Sequence, residues 1–327
     1  MNAESELLLR QREALSADTE RLWINPPADG FWQPFSAQRA IVLNHADAQH
    51  MSQHMEVSCE LHSDSCHHVV VYLPKSKARW KMLLELAAAC LTPDGKLWLV
   101  GAKKAGIASA GKHLSQHFSQ CRKLDAARHC MLFEASAPVR PMSFDIEGYW
   151  HCHKLDDLTL HSLPGVFAHG RLDDASALLL AHLPHQMLGR CLDFGCGCGV
   201  LSAAAAQRGA QVTALDVDLL AVRSCLKTLE KNQLRGEVVG ANGIAEQSGP
   251  FRWIISNPPF HQGVNQDLTV THKMLDDAAK ALTRDGELWL VANRFLDYPS
   301  RLAKRFSQVT EIAGNPSFRV IRATQPR

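Results

Sequence analysis

The stretch that decides the fold is Cys191-Leu192-Asp193-Phe194-Gly195-Cys196-Gly197-Cys198-Gly199, followed by the small-residue helical run Val200–Arg208. An apolar strand, three glycines at alternate positions and a helix start bring backbone N–H groups close to a ligand. The order Asp-x-Gly-x-Gly-x-Gly is not the dinucleotide fingerprint Gly-x-Gly-x-x-Gly. With Asp193 leading, the loop suits an amino-acid-like ammonium rather than a pyrophosphate. Asp216 ends the next strand about twenty residues on, where a carboxylate can hold both hydroxyls of a ribose.

Outward from this loop, strands alternate with helical segments at Ala175–His182, Val200–Arg208 and Leu219–Asn232. That alternation predicts an α/β, doubly wound, mainly parallel sheet. The chain also repeats itself. Leu91-Thr92-Pro93-Asp94-Gly95-Lys96-Leu97-Trp98-Leu99-Val100 returns as Leu282-Thr283-Arg284-Asp285-Gly286-Glu287-Leu288-Trp289-Leu290-Val291, identical at eight of ten positions. Each copy reads as a helix end, an Asp-Gly turn and a buried strand. Phe118-Ser119-Gln120 returns as Phe306-Ser307-Gln308, Val69–Pro74 pairs with Ile254–Pro259, and Ile41–Asn44 pairs with Thr213–Asp216. The conserved order implies a duplicated α/β domain: residues 1–137, a linker over 138–150 interrupted by Pro138 and Pro141, and residues 151–327.

Composition excludes several classes. The chain has 327 residues, 46% of them hydrophobic and 21% charged, with a formal net charge of +2. That is a globular composition and not that of a globally basic nucleic-acid protein. Glu4 and Glu6 sit where a secretory leader needs positive charge, and the longest apolar stretch, around Leu83–Leu91, is too short to span a bilayer. Ten cysteines without framework spacing read as reduced thiols, so a cytoplasmic location is expected. His151-Cys152-His153 and Cys66-His67-His68 lack a second pair at zinc spacing, and no metal is expected. Lys75, Lys77, Arg79 and Lys81 form a basic run without an acid, suited to a polyanionic partner.

Asn257-Pro258-Pro259-Phe260 closes the apolar run Trp253-Ile254-Ile255-Ser256. Each proline fixes φ and pushes the preceding residue to extended geometry, so the strand's last carbonyls are held still. The Asn257 amide oxygen and the Pro258 carbonyl can then act as two acceptors beside the Phe260 ring. That trio suits a planar amino group whose ring stacks on the aromatic face. Guanine and adenine amines and a glutamine amide all present such a group, and the tetrapeptide does not separate them.

Asp193–Gly199, Asp216 and Asn257–Phe260, in this order, resemble class I S-adenosylmethionine-dependent methyltransferases that act on amino groups of nucleic-acid bases. Leu163-Pro164-Gly165-Val166-Phe167, Leu172-Asp173, Leu178-Leu179-Leu180 and the motif-poor first copy extend the likeness to the ribosomal RNA small subunit methyltransferase C family, over nearly the whole chain. Trp253, Cys196, Cys198 and Ala175 depart from residues common in relatives.

The resemblance implies S-adenosylmethionine as cofactor, the N2 amine of one guanine in 16S rRNA as target, and a monomer working on the small ribosomal subunit. It implies cofactor contacts from Asp193, Phe194, Gly195, Cys196, Gly197, Gly199, Asp216, Val217, Asn242 and Asn257, with Asn242 along the adenine. Catalysis falls to Asn257, Pro258, Pro259 and Phe260, and substrate contacts to Phe167, Phe260, His261, Lys75, Lys77 and Arg79. The alternatives are a large-subunit guanine-N2, adenine-amino or protein-glutamine methyltransferase or, of another class, an RNA-binding ribosome-assembly factor. The first copy lacks the glycine loop, has Tyr72-Leu73-Pro74-Lys75 where Asn257–Phe260 stands, and is expected to be a degenerate domain that grips RNA. Asn25-Pro26-Pro27, which has no cofactor motif before it, is a turn.

Overall fold

A computed structural model describes residues 1–15, 20–34, 38–62, 64–140, 143–167, 170, 172–244, 249–258 and 265–327. The chain divides into two compact units, Met1–Trp150 and His151–Arg327. The first runs α1 (Ala3–Leu9), α2 (Arg12–Leu15), β1 (Arg21–Ile24), β2 (Gln38–Ile41), α3 (His45–Met51), β3 (Glu56–Ser58), β4 (Cys66–Tyr72), α4 (Lys77–Cys90), β5 (Leu91–Ala102), α5 (Ile107–Leu114), β6 (Phe118–Ala127) and β7 (Cys130–Pro138).

The second opens with a hairpin, β8 (His151–Leu155) and β9 (Leu158–Ser162). It continues through α6 (Asp174–Leu180), β10 (Gly189–Phe194), α7 (Val200–Gln207), β11 (Ala210–Asp216), α8 (Leu219–Lys231), β12 (Gly236–Gly240), β13 (Phe251–Ser256), α9 (Asn265–Ala281), β14 (Leu282–Asn293), α10 (Tyr298–Leu302), β15 (Phe306–Gly314) and β16 (Phe318–Pro326). Among the described residues no helix is long and apolar enough to cross a membrane.

Each unit holds a seven-stranded sheet, ordered β3-β2-β1-β4-β5-β7-β6 and β12-β11-β10-β13-β14-β16-β15. The duplication is therefore complete at the level of topology. Five neighbouring strands pair in parallel in each sheet, and β7 and β16 run antiparallel to the strands on both sides of them, β5 and β6 in the first sheet and β14 and β15 in the second. The repeated Phe-Ser-Gln segments begin strands themselves, β6 and β15. The repeated ten-residue segments lie wholly inside β5 and β14, and the Asp-Gly dipeptides sit at a register shift rather than in a turn between helix and strand.

The pairings correct one sequence correspondence. Ile24 pairs with Ile41 as Phe194 pairs with Leu215, so Val42 and not Asn44 occupies the Asp216 position. Asn44 instead matches Asp218, and both cap the helix that follows, accepting from Asp47 N and Leu220 N. The acid is still lost, because Val42 is a buried core residue.

Other positions match as expected: Tyr72 stands at the Asn257 position and Asn25 at that of Gly195. Asn25 adopts φ 58°, in the left-handed region where Gly195 has φ 74°. Beyond Asn25 the chain turns inward, burying Phe31 and Trp32 to 2% exposure with Trp23, Tyr72, Leu7 and Leu8 in one apolar cluster. Aromatic side chains fill the core where the second unit carries a glycine loop. Segment 138–150 joins the first unit: Val139 N donates to His117 O, and the Tyr149 hydroxyl donates to Glu85.

In the second unit, a polar ladder attaches the hairpin to α8. Ser224, Thr228 and Asn232 recur every four residues along one helix face. They accept from the N–H groups of Leu163, His161 and Thr159 at 3.1, 2.9 and 2.8 Å. Four residues of helix rise about 6 Å, close to two residues of strand, so the ladders stay in step. The outer edge of β9 is thereby closed, and Leu163, where the chain leaves it, is tied to α8.

Candidate active site

In an open doubly wound sheet, ligands bind beyond the carboxyl ends of the strands where strand order reverses. Here that point lies between β10 and β13, which are neighbours with Phe194 opposite Ser256. The glycine loop follows β10 and Asn257 follows β13, so topology alone brings the two sequence motifs together. The Ser256 hydroxyl donates to Phe194 O at 2.8 Å and ties the two strand ends.

The loop adopts a conformation that only glycines take readily. Gly195, Gly197 and Gly199 have φ of 74°, 55° and 85°, all left-handed. A Cβ on Gly195 would meet nothing within 4 Å, so this turn faces open space. On Gly199 it would lie 2.8 Å from Cys225 Sγ, so the missing side chain lets α7 pack on α8. Phe167, half exposed at 49%, overlies the turn: its Cβ and carbonyl are the nearest atoms to a Cβ built on Gly197. Cys191, Cys196 and Cys198 are buried. Burial raises the Cys191 thiol and pushes Cys198 up to about 12, while a bond to Cys225 and burial hold Cys196 well above its ordinary value. Protonated thiols here act as small packing residues.

Two carboxylates lie beneath this turn. Asp193 is wholly buried, with Oδ2 accepting from the Ser202 hydroxyl at 2.5 Å and Oδ1 lacking a partner among the described residues. Asp216 is half-buried and accepts from Gly197 N at 3.0 Å and Asp218 N at 2.9 Å, one bond to each oxygen, leaving a further lone pair on each. Ala241 N donates to the Asp216 carbonyl, which brings the exposed Asn242 to the same sheet edge; Val217 continues directly from Asp216. Burial, reinforced by the Asp216 charge, raises Asp193 to about 7; burial and Asp218 raise Asp216 to about 6.

Both values exceed the ordinary 3.8, so the folded, ligand-free chain binds these protons more tightly than the unfolded chain. The contribution from these groups therefore falls as pH rises from about 4 to about 7. We expect Asp193→Asn to gain stability relative to the parent across that window, on the order of 3 kcal/mol. Thermal melts of both cofactor-free proteins at several pH values measure it. A pH-independent difference would contradict the buried-charge account.

Asn257 is oriented by residues that sequence reasoning did not single out for this task. Its Nδ2 donates to Asp173 Oδ1 at 3.1 Å and to Ser176 Oγ at 2.9 Å. Asp173 also caps α6, accepting from Ser176 N at 3.0 Å. With both amide hydrogens engaged, Asn257 Oδ1 is left buried and without a partner among the described residues. Pro258 is buried beside it. Pro259, Phe260 and His261 lie outside the described residues. In the first unit, Lys75 and Lys77 are exposed and Arg79 is half-buried, around the start of α4.

The cradle fits a ligand with a cation, a ribose and an adjacent amine acceptor site: an unpaired buried carboxylate oxygen, a second carboxylate with free lone pairs, and an open glycine turn. A glycine turn, an acid at the end of β11 and an acceptor at the end of β13 define the S-adenosylmethionine-dependent methyltransferases of the class I fold. The Methyltransferase small domain family model matches residues 157–322, and the Methyltransferase small domain N-terminal model matches residues 5–153. A Ribosomal RNA small subunit methyltransferase C of Pseudomonas paraeruginosa is 39% identical over 342 residues, covering 100% of each chain. One of Pseudoalteromonas atlantica is 35% identical, covering 98% of each.

Among solved structures, the T. thermophilus 16S rRNA N2 G1207 methyltransferase in complex with AdoMet and guanosine is similar with a TM-score of 0.88. It is 23% identical, and the match covers 99% of this chain and 92% of that one. The chain belongs to the ribosomal RNA small subunit methyltransferase C family.

Proposed function

We propose that the protein transfers a methyl group from S-adenosylmethionine to the exocyclic N2 amine of a guanine in 16S rRNA, at the pocket between β10 and β13. The observation that carries this reading is the fixed amide of Asn257, with its nitrogen held by Asp173 and Ser176 and its oxygen left as an unpaired buried acceptor.

An exocyclic guanine amine is a weak nucleophile because its lone pair is delocalised into the ring. Acceptors at Asn257 Oδ1 and the Pro258 carbonyl favour its pyramidal form and stabilise the positive charge that develops on nitrogen. A neutral amide does this without burying a further charge. Bound S-adenosylmethionine supplies an electrophilic methyl on a sulfonium. The proton shed by the methylated nitrogen passes to solvent, so no strong base is needed. Asp193 gives negative potential beneath the turn for the ammonium, Asp216 holds the ribose hydroxyls, and Asn242 and Val217 border the adenine. Phe194, Gly195, Cys196, Gly197 and Gly199 shape the cradle. The guanine leaves its stack to enter; Phe260 is proposed as the replacement stacking surface and Phe167 and His261 as further substrate contacts.

Labelled S-adenosylmethionine is incubated with small subunits, large subunits, stripped rRNA and protein extract, and the methylated nucleoside is identified by mass spectrometry. N2-methylguanosine in 16S rRNA is expected; label confined to protein would overturn the reading.

The basic run Lys75, Lys77, Arg79 and Lys81 is proposed to contact rRNA phosphates from the first unit. Neutralising all four is expected to weaken rRNA binding and flatten the slope of log affinity against log salt by roughly 3. Titrations at several salt concentrations measure this, and an unchanged slope would remove the run from the interface.

A further inference from the structure

Among the described residues one set of three metal-type ligands converges, and it lies in the first unit, apart from the methyl-transfer site. Glu85 stands in α4, His113 in the last turn of α5, and His117 four residues later in the turn that follows. One ligand atom from each lies within 4.8 Å of the other two. The His113 and His117 rings are 5.1 Å apart, tilted at 72°, as the four-residue spacing on one helix face dictates. Nε2 of each ring is buried and without a hydrogen-bond partner. Buried, unsatisfied nitrogens on two rings that converge with a carboxylate are costly unless a partner completes them.

The groups behind these ligands are arranged as supports. The Tyr149 hydroxyl donates to Glu85 Oε2 and leaves Oε1 for another partner. Trp80 packs edge-on to His113, with ring centroids 5.4 Å apart, and walls one side.

We propose that Glu85, His113 and His117 form a divalent-metal site. Two imidazoles, one carboxylate and an open fourth position suit zinc over calcium or magnesium, which favour all-oxygen sets. Bonds of about 2.0–2.2 Å place tetrahedral ligands about 3.3–3.6 Å apart, so closure moves the present atoms by about 1.5 Å at most. Once bound, the ion links α4, α5 and, through Tyr149, the segment that ends the first unit. Histidine–cysteine runs in the sequence do not reveal this site, because its ligands come from α4, α5 and the turn after α5, and neither run contributes.

The test uses full-length protein freed of metal with a chelator, then titrated with zinc by calorimetry and with cobalt by absorption. One equivalent of zinc should bind with micromolar or tighter affinity and raise the melting temperature. Cobalt should give visible ligand-field bands without the near-ultraviolet band of thiolate ligation. His113→Gln with His117→Gln should lose at least about 100-fold in affinity and Tyr149→Phe about tenfold, with circular dichroism and methyl transfer unchanged. Absence of saturable binding, a double variant that binds zinc like the parent, or a thiolate band with cobalt would each overturn the proposal.

Discussion

Asn257→Ala is expected to reduce methyl transfer at saturating cofactor and rRNA by about 10²–10³-fold, the usual cost of losing one oriented acceptor or donor at a developing charge. S-adenosylmethionine affinity should change little, because the glycine turn, Asp193 and Asp216 are untouched. Single-turnover methylation and equilibrium cofactor binding separate the two quantities. Turnover near the parent rate would refute the role of the amide. The same geometry ranks two variants at the next position outward. Asp173→Ala removes an acceptor of Asn257 Nδ2 and the cap of α6, so it should lower turnover about tenfold or more and cost about 1 kcal/mol of stability. Asp173→Asn keeps an oxygen for both bonds and should retain most of the activity. Equal losses in the two variants would mean that the carboxylate acts by its charge and not by holding the amide.

Gly199→Ala should be the most damaging single-methyl change in the cofactor loop. The residue has φ 85°, and its new Cβ would lie 2.8 Å from Cys225 Sγ and 2.9 Å from Cys225 Cα. The second of these is backbone inside α8 and cannot rotate away. Strain at a left-handed non-glycine residue and overpacking together cost roughly 3–5 kcal/mol. For a unit of this size that lowers the melting temperature by about 10 °C, and cofactor binding should fall with it. Gly195→Ala is the control. Its φ is similar at 74°, but its Cβ would meet nothing within 4 Å, so only the smaller conformational cost applies. A protein that tolerates both changes equally would contradict the packing of α7 on α8. The measurement is a paired thermal melt of the two variants with and without S-adenosylmethionine.

Much of this was legible in the sequence, for identifiable reasons. Glycines at 195, 197 and 199 answer to a local backbone demand, so their spacing reveals the turn. The Leu-Trp-Leu-Val repeats are buried strands in both units, so shared packing preserved them and exposed the duplication. The Asn44 correspondence was displaced by two residues because a helix cap and a ribose-binding acid both favour short polar side chains. Only the pairing of Ile24 with Ile41 separates them. The clamp on Asn257 was invisible for another reason: Asp173 is 84 residues away, and an Asp followed by Ser three residues on is sufficiently explained as a helix cap. The filling of the first unit by Phe31 and Trp32 is likewise a tertiary event, in a stretch with no periodicity to announce it.

The polar ladder from α8 to β9 also limits how that helix can vary over evolutionary time. Replacing Ser224, Thr228 or Asn232 by a residue without an acceptor would strand a backbone N–H of Leu163, His161 or Thr159 that no neighbouring strand covers. Drift at these three sites is therefore confined to side chains that carry an acceptor of the right reach. Cys225 and Leu229, their buried neighbours along the helix, are confined to apolar ones by the core. One helix thus answers to two selective demands on adjacent faces. Its freedom to change is smaller than its amphipathic pattern suggests.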